Sequence, residues 1–289
     1  MSAPHLALIL FITLVWGFNY IAGKAGVTEF PPFLFTGLRF FLLSILLLPF
    51  LKWHKGQMRS IAIISLTMGG VHFAIFYMGL AAADDVSTIA IAGQLGVPFA
   101  TIMSIVFLGE QVHWRRWAGI GLSFAGVMII GFDPVVLQYL DGLILVILAA
   151  LIGSTAMIFM RRLQNIGVFE LQAWIALLSW PVLAPLSLLL EKGQITAIGD
   201  ASWAAWGGVL YTVVGTSLIG HAGMYYLLQR YEVTQTAPLT LLSPVWGVFF
   251  GVTLLGDNLS PSILFGGLIT LLGVGIVTVR QKALVDTGG

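Results

Sequence analysis

Apolar stretches of about twenty residues recur from one end of this chain to the other, and no interval between them is long enough to fold by itself. About twenty mostly apolar residues are what an α-helix needs to cross the hydrocarbon of a bilayer. On that ruler the stretches fall near 5–23, 33–51, 60–81, 87–108, 117–131, 142–160, 170–189, 203–227, 233–255 and 262–279. Strands of a membrane barrel would be about 9–11 residues of alternating polarity, whereas these stretches are continuous. The expectation is an all-α membrane protein with ten transmembrane helices. No Lys or Arg precedes the first stretch, which is too long for the core of a cleaved signal peptide and reads as a span. Composition agrees: only 9% of residues are charged, against about 25% in a soluble domain. Net charge is +1 with no basic run, which points away from nucleic acid. The absence of cysteine excludes disulfides, thiolate nucleophiles and cysteine-ligated metals.

Lys and Arg set orientation, because cytoplasmic loops carry an excess of them. With a cytoplasmic N-terminus, the cytoplasmic side holds Lys52, Lys55, Arg59, Arg115, Arg116, Arg161, Arg162, Arg230, Arg280 and Lys282. The outer side holds Lys24 and Lys192, and Arg39 lies inside the second span. One span missed or invented would move every later loop to the other side. The bias therefore supports ten spans with both termini cytoplasmic.

The chain also repeats itself. Shifted by 147 residues, 76–131 lies without gaps on 223–278. Leu108-Gly109-Glu110 falls on Leu255-Gly256-Asp257, Gly119 on Gly266, Ser123 on Thr270, and Gly126-Val127 on Gly273-Val274. Five spans in each half are an odd number, so the second half must enter the membrane from the opposite side. The expectation is two inverted five-helix repeats, 1–136 and 137–289. Inverted repeats are the plan of many secondary transporters, whose site lies near mid-depth between the halves. Glycines seven apart, Gly119 with Gly126 and Gly266 with Gly273, mark helix faces for close packing.

Trp16-Gly17-Phe18-Asn19-Tyr20, running on to Gly23-Lys24, resembles the first-span signature of the drug/metabolite transporter superfamily, EamA type. Leu38-Arg39-Phe40 resembles that family's second-span arginine. Pro98, followed by Leu108-Gly109-Glu110-Gln111 and Trp117-Ala118-Gly119, resembles its passage from span four into span five. In the second half Leu151-Ile152-Gly153-Ser154 stands where the first has Trp16-Gly17, a departure from the pattern. The resemblance covers nearly the whole chain. It implies ten spans in two inverted halves and export or exchange of small metabolites. Among members, the chain looks most like bacterial exporters of aromatic and other amino acids, which implies an inner-membrane location.

Ionisable groups inside a membrane are costly and face a cavity or a partner. The acids Asp84, Asp85, Glu110, Asp133, Asp141 and Asp257 avoid the problem at span ends, which disfavours a carboxylate proton relay. Arg39 has two readings: partner of a substrate carboxylate, or a structural cation held by helix carbonyls or Glu29. His72 and His221 lie in equivalent spans and titrate near neutrality; each either carries a proton or rests neutral on a carbonyl. Asn19 and Gln94 belong on inward faces, because lipid cannot satisfy them. Thr236, Thr240 and Ser243 form a further polar stripe. Pro98 and Pro244 free a carbonyl each inside a span. Tyr77, Trp174 and Tyr225 lie deeper than the interfacial Trp53, Trp114 and Trp203, where they line an aromatic cavity or fill helix interfaces.

The candidate substrate-binding set is Asn19, His72, Tyr77, Gln94, Trp174, His221, Tyr225 and Thr240, walled by spans one, three, four, six, eight and nine. No catalytic residue, metal ligand or cofactor is assigned. The partners expected are a small-molecule substrate and the bilayer; oligomeric state is not encoded. The reading is a secondary transporter exporting amino acids or similar metabolites by alternating access. Rival readings are a transporter of another metabolite class, a membrane-embedded enzyme and a non-transporting sensor. An enzyme needs a catalytic cluster, which the sequence lacks, and a sensor needs more loop than these spans leave.

Overall fold

A computed structural model describes residues 2–109, 113–228, 230, 231, 236 and 239–278, without the side chains of Tyr225 and Leu228. Among the described residues every regular element is helical. In order these are α1 (Ala3–Glu29), α2 (Pro32–Leu47), α3 (Met58–Ala82), α4 (Val86–Leu108), α5 (Trp114–Gly131), α6 (Leu140–Met160), α7 (Val168–Leu190), the short α8 (Gln194–Asp200), α9 (Trp203–Leu228), α10 (Leu242–Leu255) and α11 (Pro261–Thr278). Helix follows from the solvent these segments meet: in hydrocarbon a backbone must satisfy its own hydrogen bonds. Both copies of the repeated Leu-Gly-acid turn end a helix in the same way. Gly109 after α4 and Gly256 after α10 adopt φ of +66° and +75°, the left-handed closure that glycine takes without a Cβ clash.

Seven of the described helices are long and apolar enough to cross a membrane, and Leu242–Leu255 is a shorter apolar one. Helices α5 and α9 fall outside that set: α5 opens on Trp114-Arg115-Arg116, and α9 is rich in glycine and hydroxyl residues. The first part of the stretch expected at 233–255, with Glu110 and Gln111, lies outside the described residues. Helix α11 shows how the fold meets its surroundings. Phe265, Leu268, Leu272 and Ile276 are exposed along one face, while Gly266, Thr270, Gly273 and Val277 are buried on the other. A water-facing helix would reverse that pattern.

The buried face of α11 meets α5 in a reciprocal way. A Cβ on Gly119 would touch the Gly273 carbonyl, and one on Gly273 the Gly119 carbonyl. A Cβ on Gly126 would touch the Gly266 carbonyl, and one on Gly266 the Gly126 carbonyl. The 147-residue shift exchanges these two pairs, and the register runs antiparallel. The wider packing follows suit: α1 lies on α9 and α10, while α6 lies on α3 and α4; α2 pairs with α7.

Where α2, α4, α9 and α11 begin, carboxylates from other segments hold the helix starts. Glu191 accepts from the backbone N–H of Phe33 (2.7 Å) and Leu34 (3.1 Å). Asp257 accepts from the N–H (2.7 Å) and hydroxyl (2.6 Å) of Ser87. Glu29 accepts from the N–H (2.6 Å) and hydroxyl (2.5 Å) of Ser202. Asp133 accepts from Ser260, whose oxygen takes the N–H of Ile263.

Candidate functional site

Departures from α-helical winding bring polar side chains together at the middle of the fold. Helix α3 widens into a π-helical segment at Leu66–His72, and α9 does so at Thr212–His221. The 147-residue shift carries 66–72 onto 213–219, inside the second segment. Such segments are frequent at functional sites. In α4 the ladder tightens at Gly93–Leu95, where Pro98 lacks the N–H that the Gln94 carbonyl would otherwise take.

Both π-helical segments end in a histidine; His72 reaches α6 and His221 reaches α1. His72 Nδ1 donates to the carbonyl of Ala149 on α6 at 2.6 Å. Gly153, also on α6, lies under the ring; a Cβ there would stand 2.7 Å from Nδ1. His221 meets the Trp16 ring of α1 at 5.7 Å, with Gly220 pressed against the same indole. The His221 side chain is solvent-accessible.

On α1, the Asn19 carboxamide accepts from the Thr216 hydroxyl at 2.7 Å. The Tyr20 hydroxyl lies beside Gln94, and its ring packs on Gly247 and, at 6.1 Å, on Phe76. Phe76 in turn meets His72 at 6.4 Å. Arg39 is 1% exposed. Its Nη1 donates to the Tyr77 hydroxyl at 2.9 Å and its Nη2 to Ser217 at 3.3 Å. The guanidinium carbon sits 4.2 Å from the centre of the Phe73 ring, within cation–π range.

Of the candidate set, Asn19, His72, Tyr77, Gln94 and His221 come together here. Trp174 does not: its indole donates to the Lys52 carbonyl at 2.9 Å and stacks edge-on with Trp53 at 6.1 Å. That places it near the start of α7, against the loop that carries Lys52. The Tyr225 side chain lies outside the described residues. Thr240 is half-buried in the stretch leading into α10. The structural alternative for Arg39 that invoked Glu29 is not realised, since Glu29 caps Ser202 instead. Trp16, Tyr20, Phe76, Thr216 and Ser217 join the site without having been singled out for it. The signal for the last two was present: adjacent hydroxyls in mid-span need a protein partner.

The chain matches the EamA-like transporter family over residues 4–132 and again over 140–279. It is similar to a protein described as "Probable amino-acid metabolite efflux pump" in Escherichia coli, 25% identical over 100% of each chain. The protein of the same description in Salmonella typhimurium is 28% identical, over 99% of this chain and 100% of its own. An uncharacterized transporter of Bacillus subtilis is 25% identical over 92% of this chain and 94% of its own. A solved crystal structure shares the fold, with a TM-score of 0.60 and 18% identity over 96% of each chain. With the family's domain present twice and spanning nearly its whole length, this chain belongs to the EamA-like transporter family and is a multi-pass membrane transporter.

Proposed function

We propose that the chain is a secondary transporter of a bacterial inner membrane that exports amino acids or similar small metabolites by alternating access. The observation that carries the substrate class is the end-to-end match to proteins described as amino-acid metabolite efflux pumps. Support for the mechanism comes from exchange symmetry. Residues 1–136 and 137–289 form inverted five-helix repeats, and the glycine pairs of α5 and α11 are the contact such an axis requires. The ten spans place both termini in the cytoplasm, as the loop charges favour. The halves rock around Asn19, His72, Tyr77, Gln94 and His221, which come from both of them. Tyr225 and Thr240 stand as further contacts on sequence grounds, and Trp174 drops out as a loop anchor.

Purified protein in oriented proteoliposomes, loaded with single radiolabelled amino acids, tests this. His72→Ala, Gln94→Ala and His221→Ala should each cut flux at least about tenfold, equivalent to about 1.4 kcal/mol, with folded protein retained. Wild-type flux in all three overturns the site. No flux of any amino acid by the wild type overturns the substrate class.

A further inference from the structure

Among the described residues, no acid neutralises the charge of Arg39. Arg39 is 1% exposed, near the middle of α2, where a cation is costly to hold without compensation. Among the described residues no carboxylate forms an ion pair with it; Glu191, Asp257 and Glu29 cap helix starts. What touches it is neutral: two hydroxyls and an aromatic face.

The guanidinium is also used unevenly. Tyr77 holds Nη1 at 2.9 Å. The opposite edge, made of Nε and Nη2, is the pair of parallel donors that matches a carboxylate. On that edge Nε has no acceptor, and Nη2 has one long bond, 3.3 Å, to Ser217. Ser217 belongs to the π-helical segment of α9 and also donates to the Thr212 carbonyl at 3.0 Å. It can therefore release Arg39 without losing its own partner. The adjacent Thr216 is bonded to Asn19, which connects this edge to the polar set between the halves.

We infer that the Nε–Nη2 edge of Arg39 is the subsite for the carboxylate of the transported metabolite, reached when Ser217 withdraws. The inference rests on the transport reading above and deepens it. Tyr77 and the Phe73 face fix the orientation of the guanidinium, and the carboxylate supplies a negative charge that no described residue brings to it. The role calls for two parallel donors, so a lysine replaces it poorly.

The test compares L-phenylalanine with L-phenylalaninamide, which differ at the carboxyl group, in proteoliposome flux and in competition. Wild type should prefer the acid. Arg39→Gln should raise KM for the acid about 30-fold or more and abolish the preference, leaving the amide's KM unchanged. Arg39→Lys, which keeps the charge, should retain a reduced preference; it carries the test if the glutamine variant does not fold. A wild type that moves both compounds equally, or variants that lose both equally, overturns the subsite but leaves amino-acid transport standing. A wild type that moves neither compound nor any other amino acid overturns the transport reading, and this subsite with it.

Discussion

The packing of this protein is decided at single atoms, and its glycines show how. A Cβ on Gly126 would stand 2.3 Å from Thr270 Oγ1 and 2.5 Å from both the Gly266 carbonyl oxygen and the Thr270 nitrogen. Two of those three neighbours are backbone, which cannot swing aside. Gly126→Ala should therefore push α5 and α11 apart and lower the Tm of the purified protein, at an overpacking cost of about 1–3 kcal/mol. Gly121, on the same helix, has nothing within 4 Å of its would-be Cβ; Gly121→Ala should leave the Tm unchanged or slightly raised. Equal effects would show that helix propensity, not contact, governs this interface. The sevenfold spacing made the packing face legible in the sequence, because it follows from helix periodicity alone. Its partner was not legible, since nothing local says which other helix carries the matching glycines. The site divides similarly. His72, His221 and Gln94 were readable as polar groups that lipid cannot satisfy. The depth of Trp174 was misjudged because it depends on where α7 begins relative to the Lys52 loop.

At the scale of elements, the sequence placed acids at helix ends but could not show that they reach across to other helices. The separations explain it: Glu191 caps α2 across 158 residues, and Asp257 caps α4 across 170. An anion is favoured at a helix N-terminus by the exposed N–H groups and the macrodipole, and a hydrogen bond to a charged group contributes about 1.5–3 kcal/mol. Asp257→Ala should lower the Tm, with Asp257→Asn intermediate because it keeps an acceptor for the Ser87 N–H. Asp133 adds a pH signature. Its carboxyl is held below the ordinary carboxylate value by the Ser260 hydroxyl and the Val135 N–H. A depressed pKa means stability that is fully present above the unfolded value and lost as pH falls through the folded one. Tm measured from pH 7 down to pH 3 should fall less steeply in Asp133→Asn than in wild type. Parallel curves would remove Asp133 from the acid transition. The π-helical segments of α3 and α9 were not legible at all, since no residue type enforces them.

The whole molecule is where repeat and fold support each other most closely. The gapless match of 76–131 to 223–278 was readable in the sequence, and inversion is the expectation that five spans in each half would carry. What three dimensions add is the exchange of contacts: α1 with α9 and α10, against α6 with α3 and α4. The inversion makes a prediction about sidedness that is independent of substrate. Corresponding loops of the two halves must lie on opposite faces of the membrane. The native chain has no cysteine, so single-cysteine variants carry no background. Arg115→Cys lies at the start of α5, and Asn258→Cys lies in the corresponding loop before α11; both parent residues are exposed. A membrane-impermeant maleimide applied to intact spheroplasts should label Asn258→Cys at once and Arg115→Cys only after permeabilisation. The reverse result would keep the inversion and turn the molecule over, placing both termini outside. Labelling of both variants from the same face would contradict the inverted repeat itself, and with it the rocking of two halves around a shared site.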